Sequence, residues 1–124
     1  MTKNFEDFPV YQKSMDLVEK VFEFLNQSDF KTEFEFVNQL KRAVISITNN
    51  IAEGSEYNNN RQFIRFLKIA KGSCGEARNL MLISKRLKWG ENELRENIIN
   101  ETIKISIQLS NFIKYLGDNL ERKK

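Results

Sequence analysis

Apolar residues recur along most of the chain at alternating spacings of three and four positions, which is the period of an α-helix. The first stripe consists of Tyr11, Met15, Val18, Phe22 and Leu25. Leu17, Val21 and Phe24 widen it, so this helix has two apolar faces, one for the core and one for a partner. Pro9 suits its first turn, because proline lacks the amide hydrogen that a first-turn residue leaves unpaired. The pattern predicts a helix over 9–27.

A second helix is predicted over 33–53. Thr32 and Glu35 have the spacing of a capping box, in which a hydroxyl and a carboxylate bind free amides of the first turn. The stripe that follows consists of Val37, Leu40, Val44, Ile47 and Ile51. Gly54 comes next, and its tolerance of positive φ predicts the end of the helix near Glu53.

A third helix, over 60–88, follows a polar, asparagine-rich loop whose last asparagines can cap it. Its stripe is the longest and consists of Phe63, Leu67, Ala70, Cys74, Ala77, Met81 and Ser84. Gly72, Ser73 and Gly75 interrupt this helix with small residues. Because an interior glycine costs a helix about 1 kcal/mol relative to alanine, they predict the close approach of another backbone, with a tolerated weak spot as the alternative.

The fourth helix is predicted over 91–116, with Gly117 placed to end it. Its stripe consists of Leu94, Ile98, Thr102, Ile105, Leu109, Phe112 and Leu116. Four further isoleucines lie off this stripe: Ile99, Ile103, Ile107 and Ile113. These are more apolar positions than a lone bundle needs, so they predict self-association.

Four helices with short connections predict one all-α domain over 1–124, an antiparallel up-down-up-down four-helix bundle. A helical solenoid is the competing architecture. It requires repeated sequence, and the second and third helices do not repeat one another.

Composition agrees with this class, because five glycines and one proline are too few for the turns of an all-β chain. The N-terminus lacks the features of a signal peptide, and no apolar run approaches the roughly 20 residues of a membrane span. Cys74 is the single cysteine, which excludes an internal disulfide and is expected to be a small buried residue. We therefore expect a cytoplasmic protein with no membrane partner.

Residue types argue against catalysis. The chain has no histidine, which removes the commonest general base and transition-metal ligand. It has no glycine-rich phosphate loop, no serine-histidine arrangement and no metal-ligand spacing. Glu33 and Glu35 are two residues apart, so on a helix they diverge. We expect a protein that is not an enzyme and holds no cofactor or metal.

Positive charge is concentrated in the third helix. Between Arg61 and Lys88 eight basic residues accompany one acid, Glu76, for a net +7, whereas the whole chain carries +3. The candidate nucleic-acid-binding residues are one row opposite the apolar stripe, Arg61, Arg65, Lys68 and Arg86, and one flanking row, Lys71, Arg78 and Lys85. Such rows can bind a phosphate backbone, RNA or DNA, or can form a solvated face neutralised by acids across the bundle. No aromatic residues interleave them in a way that suggests base stacking.

A polar cluster at the end of the second helix is a weaker candidate site. Asn49, Asn50 and Glu53, followed by Gly54, could bind a ligand or a partner. The alternative is structural: these side chains would tie the following loop and the start of the third helix together through capping bonds.

Several of these residues resemble a known family of four-helix bundles, the 23S rRNA intervening sequence proteins. The resemblance rests on Phe5–Phe8, Val10–Lys13, Gln39–Ala43, Ser46–Ile47 and Asn49–Gly54, and on Phe63, Phe66, Leu67, Ile69, Ala70, Gly72 and Ser73. Asn50-Ile51-Ala52-Glu53-Gly54 is its most specific part, and it covers almost the whole chain.

The resemblance implies an antiparallel four-helix protomer that assembles into a homopentamer. The family also includes accessory proteins of diversity-generating retroelements, which are basic pentamers that bind nucleic acid and a reverse transcriptase. Two functions are therefore expected: a homo-oligomer that contacts nucleic acid through its third helix, or a protein-recognition scaffold whose acidic first helix and surplus apolar positions bind a basic partner such as a polymerase.

Overall fold

A computed structural model describes residues 4–120 as four α-helices and two single 3₁₀ turns, with no strand in that range. The helices are α1 (Pro9–Leu25), α2 (Phe34–Ser55), α3 (Asn60–Leu87) and α4 (Asn92–Asp118), and the turns are Phe5–Asp7 and Ser28–Phe30. Each helix packs on the next, and α4 closes the bundle against α1. The protein is the predicted all-α, antiparallel four-helix bundle. None of the helices in 4–120 is long and apolar enough to cross a membrane.

The start of α3 is capped as predicted, whereas the start of α2 is not. The Asn59 side chain accepts a hydrogen bond from the Gln62 amide at 3.1 Å. The capping box expected at Thr32 is wrong: Glu33 occupies the N-cap position, and no side chain caps the helix. The reason is local, because the Glu33 amide donates to the Phe30 carbonyl and so closes the preceding turn one residue beyond Thr32.

Gly54 does not end α2, contrary to its predicted role. The helix continues to Ser55, and Gly54 is buried within it. A Cβ atom there would lie 2.6 Å from Cβ of Phe66, so the missing side chain allows α2 and α3 to approach each other closely. Gly117 likewise lies inside α4, which ends at Asp118.

The two glycines in the middle of α3 have no such neighbour. A Cβ atom at Gly72 or Gly75 would meet nothing within 4 Å, and both residues are exposed. The close backbone approach predicted at these positions is therefore absent from the protomer. Ser73, between them, joins α3 to α2 instead, with its Oγ 2.8 Å from Oγ of Ser46.

The apolar stripe of α3 is buried along its whole predicted length, whereas α1 buries the residues that widen its first stripe more deeply than the stripe itself. The buried residues of α1 are Val10, Ser14, Leu17, Val21, Phe24 and Leu25. Of the first stripe, Leu25 is buried, Tyr11, Val18 and Phe22 are partly buried against the core, and Met15 is 41% exposed. The α1 sequence carries two overlapping apolar stripes, and the packing of α2 and α4 selects the second.

Aromatic clusters close both ends of the bundle. At one end Phe8 stacks on Phe63 and meets the edge of Phe112. At the other end the cluster contains Phe24, Phe30, Phe36 and Trp89. Apolar and aromatic burial at both ends stabilises the connections as well as the helices between them.

Candidate nucleic-acid interface

The basic side chains of α3 lie on the outer surface of the bundle. Six of the seven candidates are exposed, and Lys71 is half-buried. Within residues 4–120, Lys85 is the one member that forms an ion pair, with Nζ 2.9 Å from a carboxylate oxygen of Glu96 on α4. The other six, Arg61, Arg65, Lys68, Lys71, Arg78 and Arg86, have no carboxylate within 4.0 Å in the part of the chain that the structure describes. Within the described range, one of the seven candidates is thus paired directly with an acid across the bundle.

The cations of the other helices are more fully engaged. Lys13 and Lys20 of α1 both lie 4.0 Å from the Glu101 carboxylate, which is largely buried between α1 and α4. Lys41 of α2 places its ammonium group 4.7 Å from the centroid of the Phe22 ring. Arg42 of α2 and Lys104 and Lys114 of α4 also lack a carboxylate within 4.0 Å in the described range, but α3, with six such cations, carries the largest share of the unpaired positive charge.

An exposed aromatic residue packs on the first part of α3, and sequence reasoning missed it. Tyr57, in the loop between α2 and α3, stacks on Phe66 with ring centroids 5.3 Å apart and ring planes 17° apart. It is 51% exposed. The helical pattern of α3 could not reveal this residue, because Tyr57 belongs to a loop and reaches α3 only through the fold.

The polar cluster at the end of α2 does not make the capping bonds predicted for it. Asn50 donates to the Ser46 carbonyl and hydroxyl of its own helix, at 2.8 and 3.0 Å. Asn49 and Glu53 are exposed, and neither side chain forms a hydrogen bond to the loop within the described range. The α2–α3 connection depends instead on the Asn59 cap and the contact of Gly54 with Phe66.

A buried arginine, which the sequence analysis did not single out, holds the opposite connection. Arg95 is 2% exposed, and its guanidinium donates to the Trp89 and Gly90 carbonyls at 2.6 and 2.9 Å. It also donates to Oδ1 of Asn92. A cation suits this place, because the nearby C-terminal end of α3 is the negative end of its helix dipole. Its role is to fix the turn between α3 and α4.

The thiol of Cys74 is buried as predicted and donates to the Thr102 carbonyl at 3.1 Å. Burial raises its pKa to about 11, although the nearby charges of Arg78 and Lys71 act in the opposite direction. A thiol of this kind stays protonated near neutral pH, so it is a poor nucleophile.

One apolar cavity, of about 270 Å³, opens between the start of α1 and the end of α4. It is lined by Phe8, Pro9, Val10, Gln108, Asn111 and Phe112. These residues include no nucleophile, carboxylate or cation. Among residues 4–120 no group of three side chains has the arrangement of a metal site. The unpaired cations of α3 therefore remain the strongest candidate for function.

Comparison with known proteins agrees with the fold. Residues 6–111 match the model of the 23S rRNA-intervening sequence protein family. The fold is similar, with a TM-score of 0.77, to the 1.70 Å crystal structure of a Bacteroides thetaiotaomicron protein of unknown function from the S23 ribosomal protein family. The two sequences are 27% identical, and the match covers 85% of this chain and 98% of the other. No curated protein matches the sequence.

Proposed function

The chain belongs to the 23S rRNA-intervening sequence protein family, and from that premise we propose that it is a non-enzymatic, cytoplasmic homo-oligomer that binds nucleic acid through the basic face of α3. The observation that carries this proposal is the set of six α3 cations without a carboxylate partner in the described range. Unpaired cations on one rigid element are free to replace the counterions of a phosphate backbone.

The length of α3 supports several phosphate contacts. From Arg61 to Arg86 the helix extends roughly 38 Å, at about 1.5 Å per residue. Cations therefore lie along a line comparable in length to a full turn of duplex. Binding of this kind is independent of sequence and weakens steeply with salt, because each contact releases condensed counterions.

An oligomer would present several copies of the basic face of α3. Ile103 and Ile107, one turn apart on α4, expose apolar side chains that a monomer would leave in water. The family resemblance makes a ring of five the expected assembly. A ring would present five copies of α3, and the linked contacts would raise affinity for a long nucleic acid above that of one protomer.

A titration of a labelled, structured RNA at two salt concentrations tests the proposal. The test variant replaces Arg61, Arg65 and Lys68 with glutamate. The control replaces three exposed lysines outside α3 with glutamate, Lys31, Lys104 and Lys114, and therefore makes the same change in net charge, from +3 to −3. We expect the test variant to lose binding at low salt and the control to retain most of it.

Salt dependence provides a second readout. Removing three phosphate contacts lowers the slope of log affinity against log salt by roughly 2 to 3, at about 0.7 to 0.9 per contact. If the wild-type protein does not bind RNA or DNA at low salt, or if both variants lose binding equally, α3 is not the interface.

Recognition of a protein is the second candidate, favoured by the same exposed apolar side chains on α4 and by the acids Asp16, Glu19 and Glu23 on α1. In this case the oligomer is a scaffold or an accessory subunit for a basic partner such as a reverse transcriptase. Co-purification with a reverse transcriptase encoded beside the gene would support it. A pull-down from the native host that enriches no protein would contradict it.

A further inference from the structure

The loop between α2 and α3 carries an aromatic side chain, Tyr57, that packs on α3 but remains about half exposed to solvent. Tyr57 lies nearly parallel to Phe66, with a centroid separation of 5.3 Å. The contact with Phe66 covers one face of the Tyr57 ring, and much of the remainder is exposed. A flat aromatic surface held in this way can accept a second planar group.

Three features of the backbone hold the ring in place. Gly54 lets Phe66 lie against α2, since any side chain at that position would collide with it. The Tyr57 amide donates to the Gly54 carbonyl. Asn58, with φ of 51°, turns the chain in the left-handed region, which asparagine tolerates better than most residues. The glycine of the family motif thus positions the stacked pair.

Arg65, the residue before Phe66 in the sequence, is held toward the same side of α3 as the ring pair. Gln62 and Phe66 are four residues apart, so they occupy the same side of α3. Nη1 of Arg65 donates to Oε1 of Gln62 at 3.1 Å, which holds the guanidinium toward that side of the helix. Arg65 has no carboxylate partner within residues 4–120, and neither has Arg61 one turn earlier. The Tyr57–Phe66 pair and the Arg65 guanidinium therefore lie toward the same side of the first turns of α3.

We propose that Tyr57 is a stacking platform for an unpaired base and that the preferred ligand of the basic face is single-stranded nucleic acid. This inference rests on the proposed function, because it assigns the ligand class of the same interface. A protein reaches the face of a base only when that base is unstacked from its strand, whereas cations alone bind duplex and single strand alike. Arg65 would bind the phosphate next to the stacked base.

The test compares a labelled single strand with a duplex that contains it, at one low salt concentration. Tyr57→Leu keeps an apolar contact with Phe66 but removes the flat ring, and Tyr57→Phe restores the ring without the hydroxyl. We expect the wild-type protein to prefer the single strand. Tyr57→Leu should lower that affinity roughly tenfold or more, which is the usual range for loss of one stacked base. Duplex affinity and the salt slope should not change, and Tyr57→Phe should bind like wild type.

Cross-linking gives an independent readout that needs no variant. A single strand containing 5-iodouracil, irradiated in complex with the wild-type protein, should attach to Tyr57, as identified by mass spectrometry. Attachment to other residues alone would overturn the inference.

The outcomes separate this inference from the proposed function. One outcome is that Tyr57→Leu leaves the affinity for the single strand unchanged while the charge reversal of Arg61, Arg65 and Lys68 abolishes binding. That result refutes the stacking platform but supports the basic interface. If Tyr57→Leu weakens both ligands equally, or changes the mass of the assembly, Tyr57 is a structural or assembly contact. If the wild-type protein binds neither ligand, both proposals fail.

Discussion

Gly90 contacts residues from three other parts of the molecule, Phe24, Asp29 and Arg95. It lies between α3 and α4 with φ of 87°, a conformation that strains a residue with a side chain. A Cβ atom would lie 2.4 Å from the Phe24 ring. Its amide donates to Asp29 at 2.7 Å, and its carbonyl accepts from Arg95. Position 90 therefore needs a residue that tolerates positive φ and has no side chain. Position 72, which is exposed and helical, needs neither property.

Alanine substitutions at these two glycines should therefore have opposite effects. We expect Gly90→Ala to lower the free energy of unfolding by about 2–4 kcal/mol, from backbone strain and collision with Phe24. Gly72→Ala should raise it by about 0.5–1 kcal/mol, because alanine favours the helix and meets no neighbour. Urea unfolding followed by Trp89 fluorescence measures both. If Gly72→Ala instead destabilises the protein and dissociates an oligomer, the close approach predicted at this glycine occurs between protomers.

Cys74 should make stability depend on alkaline pH. The folded state holds the thiol proton more tightly, because burial raises the pKa from about 9 to about 11. This contribution to stability is complete below pH 9 and is lost as pH rises to 11, by up to about 2–3 kcal/mol. Urea unfolding at pH 8, 10 and 11 should show the free-energy advantage of wild type over Cys74→Ala shrinking with pH. A constant difference between the two proteins would show that Cys74 does not cause the decline.

At the scale of the helices, α1 and α3 differ in how clearly their sequences define one buried face. The α3 stripe from Phe63 to Ser84 is buried throughout, and several large apolar residues off it, Ile69, Leu82, Ile83 and Leu87, remain exposed. In α1 both stripes are apolar, and the choice of Leu17 over Met15 depends on where α2 and α4 lie. A helix with two apolar stripes has no unique orientation until its neighbours are present.

Helix α3 combines structure and candidate function on separate faces. Its inner face fills the core, and its outer face carries unpaired cations along nearly the whole helix. The core residues and the basic residues do not interfere with one another, because the helical period places them on different faces. Tyr57, supplied by the preceding loop, extends this outer surface at the start of the helix.

At the scale of the whole molecule, the surplus apolar positions of α4 are divided between the core and the surface. Ile99 is buried and Ile113 is half-buried, so part of the predicted surplus closes the protomer itself. Ile103 and Ile107 remain exposed, and Ile107 is 56% accessible. Assembly through this part of α4 would remove these two side chains from water.

We therefore expect Ile107→Lys to weaken assembly, because it places a charge where an apolar contact forms. Light scattering should give wild-type protein a mass about five times the 14.7 kDa protomer, and the variant a lower mass. Met15→Lys, on the exposed side of α1, is the matched control and should leave the mass unchanged. If Met15→Lys dissociates the oligomer and Ile107→Lys does not, α1 carries the interface. A monomeric wild type would contradict the assembly itself.

The sequence by itself determined the fold class, the stripe of α3 and the position of its charges. These are local properties, since an amphipathic period of 3.6 residues and a run of basic residues are the same in the isolated chain and in the bundle. The burial of Cys74 and the cap at Asn59 could be predicted from the sequence for the same reason.

The tertiary structure alone shows which face of α1 is buried, what Gly54 and Arg95 do, and that Tyr57 stacks on Phe66 of α3. Each depends on a residue distant in sequence or on the path of a connection: Gly54 meets Phe66 across the helix interface, and Arg95 reaches back to Trp89 and Gly90. The pattern of apolar and polar residues along one helix does not predict such contacts, because each contact needs a residue from another helix or loop.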